Sequence, residues 1–311
     1  MSSFPVSILS LQEYSEHQRM LKGNDDGGDD DGTGIPGLPD LGDIGDIVDT
    51  CFSEVATVQT LDKGVVAMKD LAVGDAVLTH NGAYEPIYAF GHYNPTKEAE
   101  FLQLTTANSV LEMTGEHLVF LQNKENPVRA DSVQVGDVLR SADSSNTLKV
   151  NKVNTIQRQG LYAPLTNSGT VVVDGVVASS YISLQKESNE FVQIQDMSTG
   201  ISQQQYVHLV LSPFRLLCQG VSNNFCTAYD QEGMPYYITY GIAANNWASN
   251  SGILVQSLAL ALFCLLAGFF MILENTFGAS LAPLVLALVG GAYAFSKATG
   301  VTVRANKSKT V

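Results

Sequence analysis

Residues 70–78 read DLAVGDAVL and residues 132–139 read SVQVGDVL. In both strings Val-Gly-Asp opens an apolar run, and the second glycine follows the first by 62 residues. Glycine permits a backbone turn there that other residues resist. Such an echo marks one β unit copied about a pseudo-twofold axis within a single fold. The surroundings agree. From 51 to 185, short runs rich in Val, Leu, Ile, Thr and Tyr alternate with turn residues, the pattern of an all-β domain. His80-Asn81-Gly82-Ala83 separates two such runs, and Asn-Gly is the pair that a type I′ hairpin turn requires. Ala107-Asn108-Ser109 marks another turn.

The flanks are of different character. Residues 1–50 hold eleven Asp/Glu against two Lys/Arg, which supplies −9 of the formal net charge of −14. Like charges joined by glycine cannot bury a core, so a disordered acidic segment is expected. Its acids miss the register of a calcium loop. The charge balance excludes nucleic acid as a partner, since that needs a basic face. No secretory leader is read at residue 1: residues 4–11 are only briefly apolar and lack a basic flank, so either the domain is not exported by that route or the N-terminus is incomplete. The four cysteines, at 51, 218, 226 and 264, have no metal-ligand spacing, and no cofactor is expected. Cys218 and Cys226 are close enough to pair, or stay as free thiols.

Residues 186–250 form an extension. Within it, residues 206–217 (YVHLVLSPFRLL) are apolar enough to pack, with Ser212-Pro213 breaking any helix midway. Beyond Cys218 the Asn, Tyr and Gly content predicts an irregular loop. Residues 251–296 hold two apolar runs, 253–273 and 279–295, joined by Glu274-Asn275-Thr276-Phe277-Gly278. These predict a transmembrane α-helical hairpin of two spans, with the lipid bilayer as partner. Residues 297–311 carry Lys297, Arg304, Lys307 and Lys309, a basic tail that predicts both ends of the chain on the cytosolic side.

Cys51 stands where the acidic segment gives way to β structure. A cysteine there can attack the carbonyl of its own preceding residue, turning the Thr50–Cys51 peptide bond into a thioester. That exchange is uphill unless an acid protonates the departing nitrogen. His117 is a suitable acid, and Thr114, three residues earlier, can hold the scissile amide with its hydroxyl.

Five ordered motifs carry a family resemblance. Cys51-Phe52-Ser53 resembles the first intein block, followed by residues 68–78 (MKDLAVGDAVL). Thr114-Gly115-Glu116-His117-Leu118 is similar to the TxxHL block. Residues 160–166 (GLYAPLT) with 169–181 (GTVVVDGVVASSY) resemble the end of the Hedgehog autoprocessing domain, and Ser212-Pro213-Phe214-Arg215-Leu216 the segment just beyond it. On these motifs the chain resembles the Hedgehog/intein (Hint) autoprocessing family from 51 to about 218, with no counterpart of the Hedgehog signalling domain. The resemblance implies a flat all-β horseshoe, with Cys51 as nucleophile, His117 as acid and Thr114 polarising the scissile bond. It also implies departures. Ser180, a possible accessory residue, stands where Hedgehog domains have cysteine. The aspartate that activates a sterol there would fall near Gly91-His92, where His92 takes the place of a carboxylate, so sterol is not expected as a nucleophile. The region ends Ala178-Ser179-Ser180-Tyr181 without the asparagine of splicing inteins, so cleavage is expected at the amino side only.

Two functions fit. One is a single-turnover, membrane-anchored autoprocessor whose thioester is resolved by water, a small thiol or an alcohol. The other is a cleavage-inactive Hint fold serving as a membrane-anchored structural or interaction module, which Thr50 favours by crowding the attacked carbonyl.

Overall fold

The computed structural model describes residues 51–143, 145–184, 190–194, 197–220 and 226–277. The acidic segment with Thr50, the second apolar run and the basic tail lie outside the described residues.

The first unit runs through β1 (Thr57–Thr60), β2 (Gly64–Ala67), a 3-10 turn at Met68–Asp70, β3 (Ala76–Leu78), β4 (Tyr84–Pro86) and the long β5 (Ala89–Thr105). Then come β6 (Val110–Met113) and β7 (His117–Val119). The second unit holds β8 (Val128–Arg129), a 3-10 turn at Ala130–Ser132, β9 (Val138–Leu139), β10 (Leu148–Lys149) and the long β11 (Lys152–Leu165). The domain closes with β12 (Thr170–Val173) and β13 (Val176–Ile182), followed by a separate hairpin of β14 (Phe191–Ile194) and β15 (Met197–Ser202).

The duplication repeats bond for bond. Gly74 N–H donates to Ile87 O at 2.8 Å, and Gly136 N–H to Val150 O at 2.8 Å. Ile87 N–H returns to Asp75 O, as Val150 N–H returns to Asp137 O. Each aspartate also closes its own turn, Asp75 on Ala72 N–H and Asp137 on Gln134 N–H. Both glycines sit at positive φ, +97° and +106°, which explains why the string needs glycine there. The long strand that follows each copy pairs with the other antiparallel, as a twofold-related pair must.

The largest sheet has the order β4-β3-β1-β12-β13-β7-β8 with β2 on β1; a second is β11-β5-β6, and β9 pairs with β10. Their shared core includes Phe52, Met68, Phe90, Leu104, Met113 and Tyr162. Burying each such side chain stabilises the fold by roughly 1.5–3 kcal/mol, which accounts for the apolar strand runs.

The Asn81-Gly82 turn differs from expectation. Among the described residues Asp174 is the one non-glycine at positive φ, so Asn81 does not adopt type I′ geometry. Its side chain instead accepts from Ala83 N–H and Thr79 Oγ1, a local bond that holds the residue at negative φ, and only Gly82 turns left-handed. The two-residue turn with both φ positive lies at Asp174-Gly175, between Val173 and Val176.

In the extension, α1 (Gln203–Val210) and α2 (Ser212–Gly220) break at Leu211, where Ser212-Pro213 predicts it. The irregular loop expected beyond Cys218 is partly helix: α3 spans Tyr236–Ser249. Packing overrides weak propensity there, because Tyr237 stacks on Phe214 at 5.1 Å and Ile242 is buried. Cys218 and Cys226 form a disulfide. The first apolar run becomes α4 (Ile253–Phe277), which turns Phe263 toward Tyr206 and buries Leu273, while Leu254, Leu258 and Leu265 are exposed. Several α4 side chains lie outside the described ones, and among the described residues no helix is long and apolar enough to cross a membrane. The two-span hairpin expected from 251–296 therefore has no support in the described residues, because one side of α4 is engaged by protein and its partner run is not among them.

Candidate functional site

Thr114 and His117 are the two ends of one tight turn. His117 N–H donates to Thr114 O at 3.2 Å, so the three-residue spacing brings both side chains to the junction of β6 and β7. Phe52 inserts there. It bridges to Tyr162 of β11 and to Met113 of β6, with Phe52 N–H donating to Tyr162 O at 2.9 Å. This seats Cys51 beside the turn. Thr114 then grips Cys51 twice: its hydroxyl accepts from Cys51 N–H at 3.0 Å, and its own N–H donates to Cys51 O at 3.0 Å. Cys51 is buried and takes part in no disulfide.

His117 is fully buried and packs on Phe52, ring centroids 4.2 Å apart. Its Nε2 lies 2.9 Å from Ser179 O. A carbonyl only accepts, so Nε2 carries the proton and donates. In the neutral ring Nδ1 is then a bare lone pair, and it has no hydrogen-bond partner among the described residues. Burial pushes the imidazole down to about 4, outweighing the bond to Ser179. The sequence gives His117 the role of the acid that protonates the departing nitrogen; burial leaves its ring neutral at rest, with the one ring proton on Nε2.

A second cluster braces the nucleophile. Glu112 lies on β6, buried, and accepts from Ser53 Oγ at 2.9 Å, from Gln103 Nε2 at 3.0 Å and from Arg158 on both oxygens at 3.0 Å. Burial alone would raise its carboxyl, but the hydrogen bonds from Arg158, Gln103 and Ser53, with the Arg158 charge, hold it below the usual carboxylate range. Sequence reasoning missed this cluster. Its signal was a lone acid inside the apolar strand Val110-Leu111-Glu112-Met113, two residues before Thr114.

The accessory residues are placed apart. Ser180 is buried, with its hydroxyl 3.5 Å from Thr166 Oγ1, and among the described residues it makes no hydrogen bond to Cys51, Thr114 or His117. His92, on β5, meets Glu232 O through Nε2 at 2.7 Å, in a turn from the extension that also places Gly233 O on Tyr93 N–H. That turn brings carboxylates near His92, but Glu232 pairs with Lys97, and Asp230 accepts from Thr239 and its own turn. Thr50 lies outside the described residues. Among those described, no group of His, Cys, Asp and Glu has a metal-binding arrangement.

The chain resembles known proteins along much of its length. The model of the Hint module matches residues 47–250. Sonic hedgehog protein of Xenopus laevis is 31% identical over 173 residues, covering 51% of this chain and 39% of that one. Warthog protein 6 of Caenorhabditis elegans is 33% identical over 150 residues, covering 44% and 25%. The chain thus spans less than half the length of these two relatives. Among solved structures, the gp41-1 intein aligns over 42% of this chain and 98% of its own, at 16% identity and a TM-score of 0.36. With the Hint module covering about two thirds of the sequence and hedgehog and warthog proteins as its relatives, this chain belongs to the Hint family, as a Hedgehog-type autoprocessing domain.

Proposed function

We propose that this domain cuts its own chain once, at Thr50–Cys51, through a thioester on Cys51. The observation that carries the reading is the hydrogen bond from Cys51 N–H to Thr114 Oγ1, beside a buried His117 whose Nδ1 lone pair is uncommitted. The Cys51 thiol gives its proton to His117 Nδ1 as Sγ attacks the Thr50 carbonyl carbon. The same proton passes from Nδ1 to the Cys51 nitrogen as the C–N bond breaks, leaving a thioester and a free amine. Thr114 Oγ1 supports the nitrogen as it gains that proton. An external nucleophile bearing hydrogen then attacks the thioester, taking the acyl group and returning the Cys51 thiol. Water, a small thiol or an alcohol suffices; among the described residues the carboxylates near His92, Asp230 and Glu232, are hydrogen-bonded or ion-paired, and sterol is not expected as the nucleophile.

Dithiothreitol or hydroxylamine should release residues 1–50 from purified protein, and Cys51→Ala should abolish the release. A new N-terminus at another position, cleavage surviving in Cys51→Ala, or a sterol-sized mass on the released fragment would each refute the corresponding part.

Membrane attachment through residues 251–296 is also proposed. It is supported by the outward stripe of Leu254, Leu258, Leu262, Leu265, Phe269 and Ile272 along α4. The Cys218–Cys226 disulfide weighs against the cytosolic placement read from the basic tail, because such bonds persist on the oxidising side.

A further inference from the structure

His117 depends on a carbonyl that an ordinary strand would not offer. β13 pairs with β7 at Ala178↔Val119 and at Ile182↔His117, so the five residues 178–182 of β13 oppose the three residues 117–119 of β7. This bulge turns Ser179 O toward His117 Nε2. A bulge is a local break in the ladder, and its shape must be held by something else.

That hold comes from α1. Ser179, Tyr181 and Ser183 face it, and each meets one of its side chains. Ser183 Oγ donates to Gln203 Oε1 at 2.6 Å, Tyr181 Oη lies 2.8 Å from His208 Nδ1, and Ser179 Oγ donates to Gln204 Oε1. Gln204 does more than the others. Its Nε2 donates to Gly169 O at 2.9 Å, and the same carbonyl accepts from Ser180 N–H at 2.9 Å. Ser179 Oγ in turn accepts from Tyr181 N–H at 2.8 Å. One amide thus ties Gly169, just before β12, to Ser179 within the bulged stretch of β13. The helix itself is fixed at its start by a capping box between Ser202 and Gln205.

We infer that Gln204 is a positioning residue for cleavage: through Ser179 it holds His117 in the tautomer that carries hydrogen on Nε2 and leaves Nδ1 free to receive the thiol proton. The extension is in this way part of the catalytic domain's machinery and more than a connection to α4. Without Gln204 the buried Ser179 hydroxyl lacks its acceptor and the bulge relaxes. His117 then loses the carbonyl that selects its tautomer, and a proton on Nδ1 blocks the relay.

The inference rests on the cleavage reading, and two readouts separate them. The first is thiol-induced cleavage of the full chain. The second is the ¹⁵N shift pattern of His117 in a Cys51→Ala background, where no cleavage intrudes. Gln204→Ala should slow cleavage about tenfold and convert His117 from the Nε2–H form to a mixture. Gln204→Glu keeps an acceptor for Ser179 Oγ but loses the donor to Gly169 O, so it should restore both readouts only in part; if the alanine variant fails to fold, Gln204→Asn, too short to reach both partners, takes its place. An unchanged tautomer in Gln204→Ala overturns the inference, whatever the rate, since a slowed reaction alone reports only structural damage. A changed tautomer with an unchanged rate overturns it as well. A wild-type chain that never cleaves refutes the cleavage reading, while the tautomer readout still decides whether Gln204 sets His117.

Discussion

Replacing Thr114 with valine removes one acceptor and little else. Thr114 is buried, valine has nearly its shape, and the backbone bond from residue 114 N–H to Cys51 O survives the change. What disappears is the hydroxyl 3.0 Å from Cys51 N. In the resting protein this leaves a buried N–H without its acceptor, which costs about 1–3 kcal/mol. During reaction more is lost. As the nitrogen takes its second proton, a neutral hydrogen bond worth about 1 kcal/mol becomes charge-assisted and roughly doubles in strength. The extra 1–1.5 kcal/mol or so is present only in the transition state, and corresponds to about a tenfold slower cleavage. Urea unfolding in the Cys51→Ala background measures the first quantity, and single-turnover cleavage with excess thiol measures the second. Thr114→Ser, which keeps the hydroxyl, should cleave at close to the wild-type rate. A Thr114→Val protein that is destabilised yet cleaves at full speed would refute the argument, because the hydroxyl would then be structural only.

Three further outcomes are expected. His117 and His208 are both held down to about 4, the latter by burial and then by the Arg215 charge, so unfolding takes up protons between pH 6.5 and 4. Their contribution is complete above about 6.5 and is lost as pH falls, about 2 kcal/mol for each between pH 7 and 5; a urea midpoint that does not move over that range contradicts it. Arg158→Met should cost about 2 kcal/mol at pH 7, a reduced figure because the Arg158 side chain is 37% exposed. That penalty should shrink as pH falls through the depressed range of Glu112, a trend that urea titrations at pH 7 and 3.5 would register. In sealed microsomes the Cys218–Cys226 disulfide predicts protection of residues 51–250 from added protease; digestion without detergent would favour the cytosolic placement.

Much of this site is legible in the sequence. The Val-Gly-Asp echo determined a duplicated β unit, because only glycine tolerates φ near +100° in the two equivalent turns. The three-residue spacing of Thr114 and His117 is the span of one tight turn, so sequence alone put them side by side. Ser212-Pro213 dictated the break between α1 and α2, since proline removes a helical donor. Tertiary structure decided the rest. The sequence allowed His117 to be an acid, but only a fully buried ring facing one carbonyl fixes the tautomer and the lowered proton affinity. Glu112 looked like an ordinary strand residue until β5 and β11 brought Gln103 and Arg158 against it. Gln204 lies 25 residues beyond Ser179, and no local pattern links them. Propensity and spacing act over a few neighbours, whereas protonation state and orientation depend on what the whole fold packs around a group.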